Sequence, residues 1–537
     1  MNRREFIKTL SFTAGATAFS SRVCADTLFS NQSIQVRQGK RPNIILILAD
    51  DMGFADIGCF GSEIETPNLD KLAAEGIRFT QFCNSARCCP TRASLLTGLH
   101  PHQAGIGWMT DDWGASKRAA LNSPAYTDGL NKNCVTIAEA LKRGRYHTIM
   151  SGKWHVGNDH NRQQWPVDRG FDRSFALIRG ASNYFSMDPS LTALDGSNFN
   201  PNHADFYITD EFTNYALQFI DESSNAKKEP FFLYLAYTAP HWPLHAKPDD
   251  IKKYRGKYKA AGGWPAIRAK RYERMKKMGI IDPQWALSEP DAGVKNWNNV
   301  DQDEMDLRMS VYAAQIDCMD QNIGRVIKKL EELGIRDNTL ILFLADNGAC
   351  AETCGTQIGS GIGNADSYTA YWQSWANTSN TPFKRYKHWV HEGGISTPLI
   401  ANWPAGIKKH GFITDSPGHI VDIMATCLDA AETAYPETHN GQAITPLEGK
   451  SLIPVFRNGT RVGHDYICIE HEGNRCCKKG KWKITALANQ PWELYDMEED
   501  RSETNNLAAV YPEKVAELEA DYNIWAQKCG VRPPSYW

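Results

Sequence analysis

The sequence predicts an α/β protein: a large, mostly parallel central sheet flanked by helices, followed by a smaller C-terminal antiparallel sheet with one packed helix. Three observations carry that expectation. Short, continuous apolar runs recur along most of the chain. Helical patterns fall between them, which argues for a parallel sheet covered on both faces. Near Gly459 the texture then changes to short alternating runs.

The first run, residues 44–48 (IILIL), is too short for a helix and suits a strand buried on both faces. It stops at Asp50-Asp51-Met52-Gly53. Residues 67–75 (PNLDKLAAE) read as a helix closed by Gly76. Pro90 suits the first turn of a helix, and residues 91–98 (TRASLLTG) supply a short one closed by Gly98, which places Cys88 just ahead of its N-terminus. Residues 146–150 (YHTIM) form a second run leading to Lys153-Trp154-His155, and residues 231–235 (FFLYL) a third leading to His241. A long helical pattern over 305–333, closed by Gly334, precedes a fourth run, 340–344 (LILFL), which stops at Asp346-Asn347-Gly348. Two segments, 255–297 and 350–380, read as long surface excursions. After Gly459 come "DYICIEHE", "KGKWKITAL" and "WELYDMEED", then a helix over 512–528. The expected organisation is an export signal over 1–25, a large α/β domain over 26–445 and a C-terminal α+β subdomain over 446–537.

In open parallel sheets ligands bind beyond the carboxyl ends of the strands. The four runs deliver three acids, an amide, a lysine and two histidines to that edge. Asp and Asn often merely begin turns after strands, but four such clusters together point to a site.

At 537 residues the chain can bury one large core plus a smaller appended one. Its 42% hydrophobic content, 41 Gly and 26 Pro exclude disordered and collagen-like classes. The start, "MNRREFIK", followed by a weakly apolar "TLSFTAGATAF", reads as a twin-arginine export signal cleaved after Ala25. The mature protein is then expected to be soluble, periplasmic or secreted, because no other run approaches the ~20 apolar residues a membrane span needs. The 59 basic and 62 acidic side chains exclude the strongly basic balance of a nucleic-acid binder. Fourteen cysteines include no CxxC pair. Loss of Cys24 leaves an odd number, with Cys88 the candidate for a role other than pairing; Cys350 and Cys354 are close enough to consider as a disulfide, although sequence does not set the pairing.

A cysteine ahead of a helix N-terminus is expected to have a lowered thiol pKa or to meet an anionic ligand. The motif Cys88-x-Pro90-x-Arg92, continued by Ala93-Ser94-Leu95-Leu96-Thr97-Gly98, resembles the signature of the type I sulfatases, of alkaline-phosphatase-like fold. In that family the first cysteine is oxidised to Cα-formylglycine. "NIILILADDMGFADIGCFG", "GKWHVG", "TAPHWPLHA", "LADNGA", "YKHWVHEGG" and "ELYDMEEDRSETNNLA" are similar to family blocks in the family's order and together cover 42–507.

The resemblance implies an arylsulfatase-type enzyme. A hydrated formylglycine at position 88 would attack sulfur with one hydroxyl and release the sulfate by breaking its own C–O bond. Asp50, Asp51, Asp346 and Asn347, with the modified Cys88, would bind Ca²⁺, a hard cation suited to oxygen ligands. Arg92 would hold the formylglycine, Lys153 would contact it and the sulfate, and Lys387 would be the second sulfate-binding lysine, with Lys384 a weaker candidate by spacing. His155 would take a proton during elimination and His241 would protonate the departing alcohol. Maturation implies a formylglycine-generating enzyme as partner, acting before twin-arginine export of the folded chain. The expected substrate is a sulfated carbohydrate. A phosphonate or phosphodiester hydrolase of the same superfamily and a non-catalytic binder of sulfated glycans are the alternatives. His160 and His245 lie near the same loops, where substrate contact and a structural role both remain open. Trp154 and Trp242 read as packing residues, Cys89 has no assigned role, and His471 reads as solvated surface.

Overall fold

A computed structural model describes residues 41–226 and 229–537. The export signal expected over residues 1–25 lies outside the described residues. Among the described residues no helix is long and apolar enough to cross a membrane.

Eleven strands build the central sheet. In chain order they are β1 (Asn43–Ala49), β2 (Ile77–Cys83), β3 (His147–Lys153), β4 (Arg173–Leu177), β5 (Thr192–Leu194), β6 (Ser197–Asn198), β7 (Phe231–Ala236), β8 (Thr339–Ala345), β9 (Ser396–Asn402), β10 (Phe412–Thr414) and β11 (Gly418–His419). Across the sheet they run β10, β2, β9, β8, β1, β7, β3, β4, β5, β6, with β11 beside β2. The four apolar runs are therefore four consecutive neighbours, β8, β1, β7 and β3, all mutually parallel. β9 is antiparallel to both β8 and β2.

Alternation along β1 shows why these runs are apolar throughout. Ile45, Ile47 and Ala49 enter one core, and Ile44, Leu46 and Leu48 enter the other. Each fully buried Ile or Leu contributes roughly 1.5–3 kcal/mol. The first core is covered by helices Pro67–Ala74, Ile208–Ala226 and Gln302–Glu332, through residues such as Leu69, Phe212 and Met309. The second is covered by Cys88–Thr97, Ile137–Arg143 and Asp422–Ala430, through Leu95, Leu141 and Met424.

Helix Gln302–Glu332 starts ahead of the expected Met305, because the Asp301 carboxylate caps it by accepting from the N–H groups of Asp303 and Glu304. The short helix begins at Cys88 itself rather than after it, and all ten of its residues are buried. The segments expected as surface excursions are partly core. Helix Gly263–Met278 and helix Trp372–Ser379 pack edge-on through Trp264 and Trp375, with ring centroids 5.4 Å apart. In the first segment the Lys and Arg residues of helix Gly263–Met278 mask a buried Trp264.

A small hairpin, β12 (Thr438–His439) with β13 (Gln442–Ala443), precedes the C-terminal meander. That meander, β14 (Ile467–His471), β15 (Asn474–Lys479), β16 (Trp482–Ala486) and β17 (Glu493–Asp496), is antiparallel throughout. Helix Pro512–Cys529 sets Leu518, Tyr522 and Trp525 on Ile484 and Leu494. Cys468 and Cys477, directly opposite across β14 and β15, form a disulfide. Cys350 and Cys354 keep free thiols, so nearness in sequence was a poorer guide than cross-strand register.

Candidate active site

Strand direction assembles the site. The common carboxyl edge of β8, β1, β7 and β3 receives Asp346 and Asn347 after β8, Asp50 and Asp51 after β1, His241 beyond β7, and Lys153 and His155 at the end of β3. Because β9 is antiparallel, its amino end lies at this edge too, and the loop ahead of it brings in Lys387. β2 ends there as well and leads into helix Cys88–Thr97, which carries Cys88 and Arg92. Every one of these ten residues is buried. Asp51 and His155 hold left-handed backbone, at φ 63° and 55°, a strained state for residues with side chains and one that gathers at functional sites.

Hydrogen bonds link the set into one network. Arg92 donates from Nε and Nη2 to Asp346 Oδ2 at 3.0 and 2.8 Å, and from Nη1 to the Lys153 carbonyl at 3.0 Å. Lys153 Nζ donates to Asp50 Oδ2 at 2.6 Å, and Lys387 Nζ to Asp51 Oδ2 at 2.8 Å. Asn347 Nδ2 donates to Asp51 Oδ1 at 2.7 Å, and His241 Nε2 lies 3.4 Å from Asp51 Oδ2. The spacing choice of Lys387 over Lys384 is consistent with this geometry, since Lys384 reaches away to the Tyr495 hydroxyl at 3.0 Å.

Burial and charge act against each other at each group. Burial works to raise the Asp51 pKa, but the Lys387 ammonium and His241 outweigh it and the carboxyl stays below its usual range. Burial, with Asp50 beside it, pushes Asp346 up to about 7 despite Arg92. Lys387 is held well above its usual value, because Asp51 and Glu352 more than offset burial. Burial brings His241 down to about 4, only partly opposed by Asp51. The Cys88 thiol lies well below its ordinary value through a hydrogen bond from Cys89, then, against burial, the charges of Lys153, His155 and Lys387.

Two buried oxygens make no hydrogen bond: Asp50 Oδ1, with Arg92 Nη2 3.5 Å away, and Asn347 Oδ1. Unmatched acceptors among three carboxylates are costly unless a cation takes them. Asp50, Asp51 and His241 each offer a ligand atom within 4.8 Å of the others. The residues fit a hard cation, with oxygens the dominant donors.

Three neighbours have no role in the sequence reading: Asp111, Cys89 and Glu352. Asp111 Oδ2 and Cys89 Sγ both lie 3.1 Å from His155 Nε2, so Cys89, expected to be idle, touches the site. Glu352 accepts from Arg87 Nη1 at 2.7 Å and from Trp242 Nε1 at 3.0 Å, and lies 3.9 Å from Lys387 Nζ. Neither Asp111 nor Glu352 sits at a strand end, so no local spacing marked them, whereas Cys89 lies inside the motif beside Cys88. Trp154 is fully buried packing, whereas half-buried Trp242 stacks beside His241 at 4.5 Å. His245 is structural, accepting from Tyr184 N–H and meeting the Ser367 carbonyl at 2.7 Å. His160 is exposed beside Asp112. His471, expected at the surface, is fully buried, because the β14–β15 hairpin folds back onto the body of the protein.

Lysines, an arginine and two histidines around a nest of oxygen ligands suit a hydrolase of tetrahedral oxyanion esters: cations hold the oxyanion, and an imidazole serves the ester oxygen. Comparison with known proteins narrows that class. Residues 42–433 match the family model described as Sulfatase, and residues 384–523 match "N-sulphoglucosamine sulphohydrolase, C-terminal". The chain belongs to the sulfatase family and is a sulfuric ester hydrolase. It is 34% identical to an uncharacterised sulfatase of Schizosaccharomyces pombe over 92% of this chain and 95% of that one. An arylsulfatase of Klebsiella aerogenes is 33% identical over 78% and 92%. Among solved structures, Ps i-CgsB in complex with k-i-k-neocarrahexaose superposes with a TM-score of 0.67 at 26% identity, covering 93% of this chain and 95% of that chain.

Proposed function

We propose that the protein is an exported, formylglycine-dependent enzyme that uses bound Ca²⁺ to hydrolyse sulfate monoesters of carbohydrates. The observation that carries this reading is the pair of buried oxygens without a hydrogen bond, Asp50 Oδ1 and Asn347 Oδ1, beside the two lysines whose charges act on Cys88. When present, formylglycine at position 88 supplies a hydrated aldehyde as nucleophile and Ca²⁺ offsets charge on the sulfate. Asp50, Asp51, Asp346 and Asn347 would hold the ion. Arg92, itself locked on Asp346 and the Lys153 carbonyl, orients the side chain at 88. Lys153 and Lys387 bind sulfate oxygens by preorganised charge.

His241 Nδ1 lies 2.6 Å from the Trp242 carbonyl and donates to it, which turns Nε2 toward the site; Nε2 must first take up a proton, favoured by the Asp51 carboxylate 3.4 Å away, before it can protonate the leaving alcohol. His155 serves as the base, and the Asp111 carboxylate 3.1 Å from its Nε2 stabilises the imidazolium that forms. The carbohydrate substrate is supported by the export reading, by aromatic residues such as Trp242 and Tyr368 at the mouth, and by the hexaose held by Ps i-CgsB.

The test is release of sulfate and of phosphate from matched nitrophenyl esters by protein produced with a formylglycine-generating enzyme. Sulfate release should dominate, vanish in Cys88→Ala, and fall on chelation with recovery on adding Ca²⁺. Dominant phosphate release, or full sulfatase turnover by Cys88→Ala, would overturn the proposal.

A further inference from the structure

The turn between β14 and β15 carries a second set of metal-binding side chains, one that sulfate-ester hydrolysis does not use. His471 ends β14, and Glu472-Gly473 form a two-residue turn with φ of 52° and 76°, the signature of a type I′ hairpin. That turn lays the Glu472 carboxylate against His388, the neighbour of Lys387. His388 Nδ1 lies 3.0 Å from Glu472 Oε2, and His471 Nε2 lies 3.7 Å from Glu472 Oε1. One ligand atom from each of the three residues falls within 4.8 Å of the others. Ligands about 2.0–2.2 Å from a tetrahedral ion stand roughly 3.4 Å apart, so these donors are already close to that spacing.

One further feature points to a ligand. His471 is fully buried, yet neither of its ring nitrogens has a hydrogen-bond partner. His388 holds φ 90° at the third position of the turn closed by Trp389 N–H on the Tyr386 carbonyl at 3.1 Å, which fixes where its ring stands. The surroundings orient the donors: Trp108 Nε1 donates to Glu472, and Asn474 Nδ2 lies 3.4 Å from His388 Nε2.

We propose that His388, His471 and Glu472 bind one zinc-type cation, through Nδ1, Nε2 and a carboxylate oxygen, with water in the fourth position. Two imidazoles and a carboxylate suit Zn²⁺ rather than the calcium that an oxygen cage selects. The ion ties the C-terminal hairpin to the loop that carries Lys387.

The experiment is a Zn²⁺ titration of the full chain in the presence of calcium, read by calorimetry and thermal melting, with anomalous scattering at the zinc edge to locate the ion. The wild type should bind zinc at this turn and melt higher with it. His471→Ala and Glu472→Gln should each weaken binding roughly tenfold or more and abolish the rise in melting temperature. His160→Ala, at the exposed Asp112–Asp159–His160 group, should leave both unchanged. Absence of zinc binding, binding unaltered in both variants, or an anomalous peak only at another group would overturn the assignment. If His471→Ala does not fold, Glu472→Gln and the anomalous map decide.

Discussion

Asp111 reaches His155 from a loop with no strand-end signature, and its own carboxyl stays below the usual range because the His155 charge and hydrogen bond outweigh burial. It touches the imidazole at Nε2 and so acts on the reaction through that ring. Asp111→Asn should lower kcat for an aryl sulfate roughly a hundredfold while leaving KM nearly unchanged. Equal kcat in the variant would remove Asp111 from the machinery. Arg92 illustrates the opposite case of legibility. Its place two residues after Pro90 was visible in the motif, but its three hydrogen bonds to Asp346 and Lys153 depend on strands far apart in sequence.

At the scale of elements, β3 delivers Lys153 only because Gly152 precedes it. Gly152 holds φ 129°, and a Cβ there would stand 1.9 Å from the Ala236 carbonyl oxygen of β7. Gly152→Ala should therefore separate β3 from β7 and cost on the order of 3 kcal/mol, read as a lower urea midpoint. An unchanged midpoint would show that the strands accommodate the methyl. Helix Pro512–Cys529 contributes a different weakness. A cavity of about 200 Å³ between it and the body is lined by His100, His419, His464, Lys450, Lys528 and Trp525. Burial, joined by the charges of His464, His102 and Lys528, brings His100 down to about 3.

A histidine with a lowered folded-state pKa takes its proton more readily when unfolded. Stability is thus full above about 6.5 and declines as pH falls toward 3. At pH 5 the loss from His100 is on the order of 2 kcal/mol. Melting temperatures between pH 7 and 5 should fall less steeply in His100→Gln, and parallel curves would contradict this.

Across the whole molecule, one carboxylate joins the two sheets. Glu392 accepts from Lys478 at 3.1 Å, Lys483 at 2.8 Å, Arg501 Nε at 2.9 Å and Ser396 Oγ at 2.9 Å. Burial alone would raise its pKa, but the three cations hold it well below the usual range. Glu392→Ala would leave buried cations without their shared partner, a loss of about 3–5 kcal/mol. Amide exchange in β14–β17 should then accelerate ahead of the central sheet, whereas uniform acceleration would mean that the sheets unfold together. The motif "HEGG" marked this glutamate for its place in a family block and said nothing of the three cations from the C-terminal segment.

Local physics wrote much of this protein into the sequence. Unbroken apolar runs specified strands buried on both faces, helical periods between them specified parallel neighbours, and parallel neighbours place their polar termini on one edge. That chain of inference reaches Asp50, Asp51, Lys153, His155, His241, Asp346 and Asn347, each at or just beyond a strand end. Only the tertiary structure decided what crosses between elements. The reversed direction of β9 brings Lys387 to the edge, cross-strand register pairs Cys468 with Cys477, and the β14–β15 hairpin buries His471 beside His388. Asp111 and Glu352 belong to the same group. Their positions depend on which distant segments fold against one another, and no period or spacing within a short window carries that information.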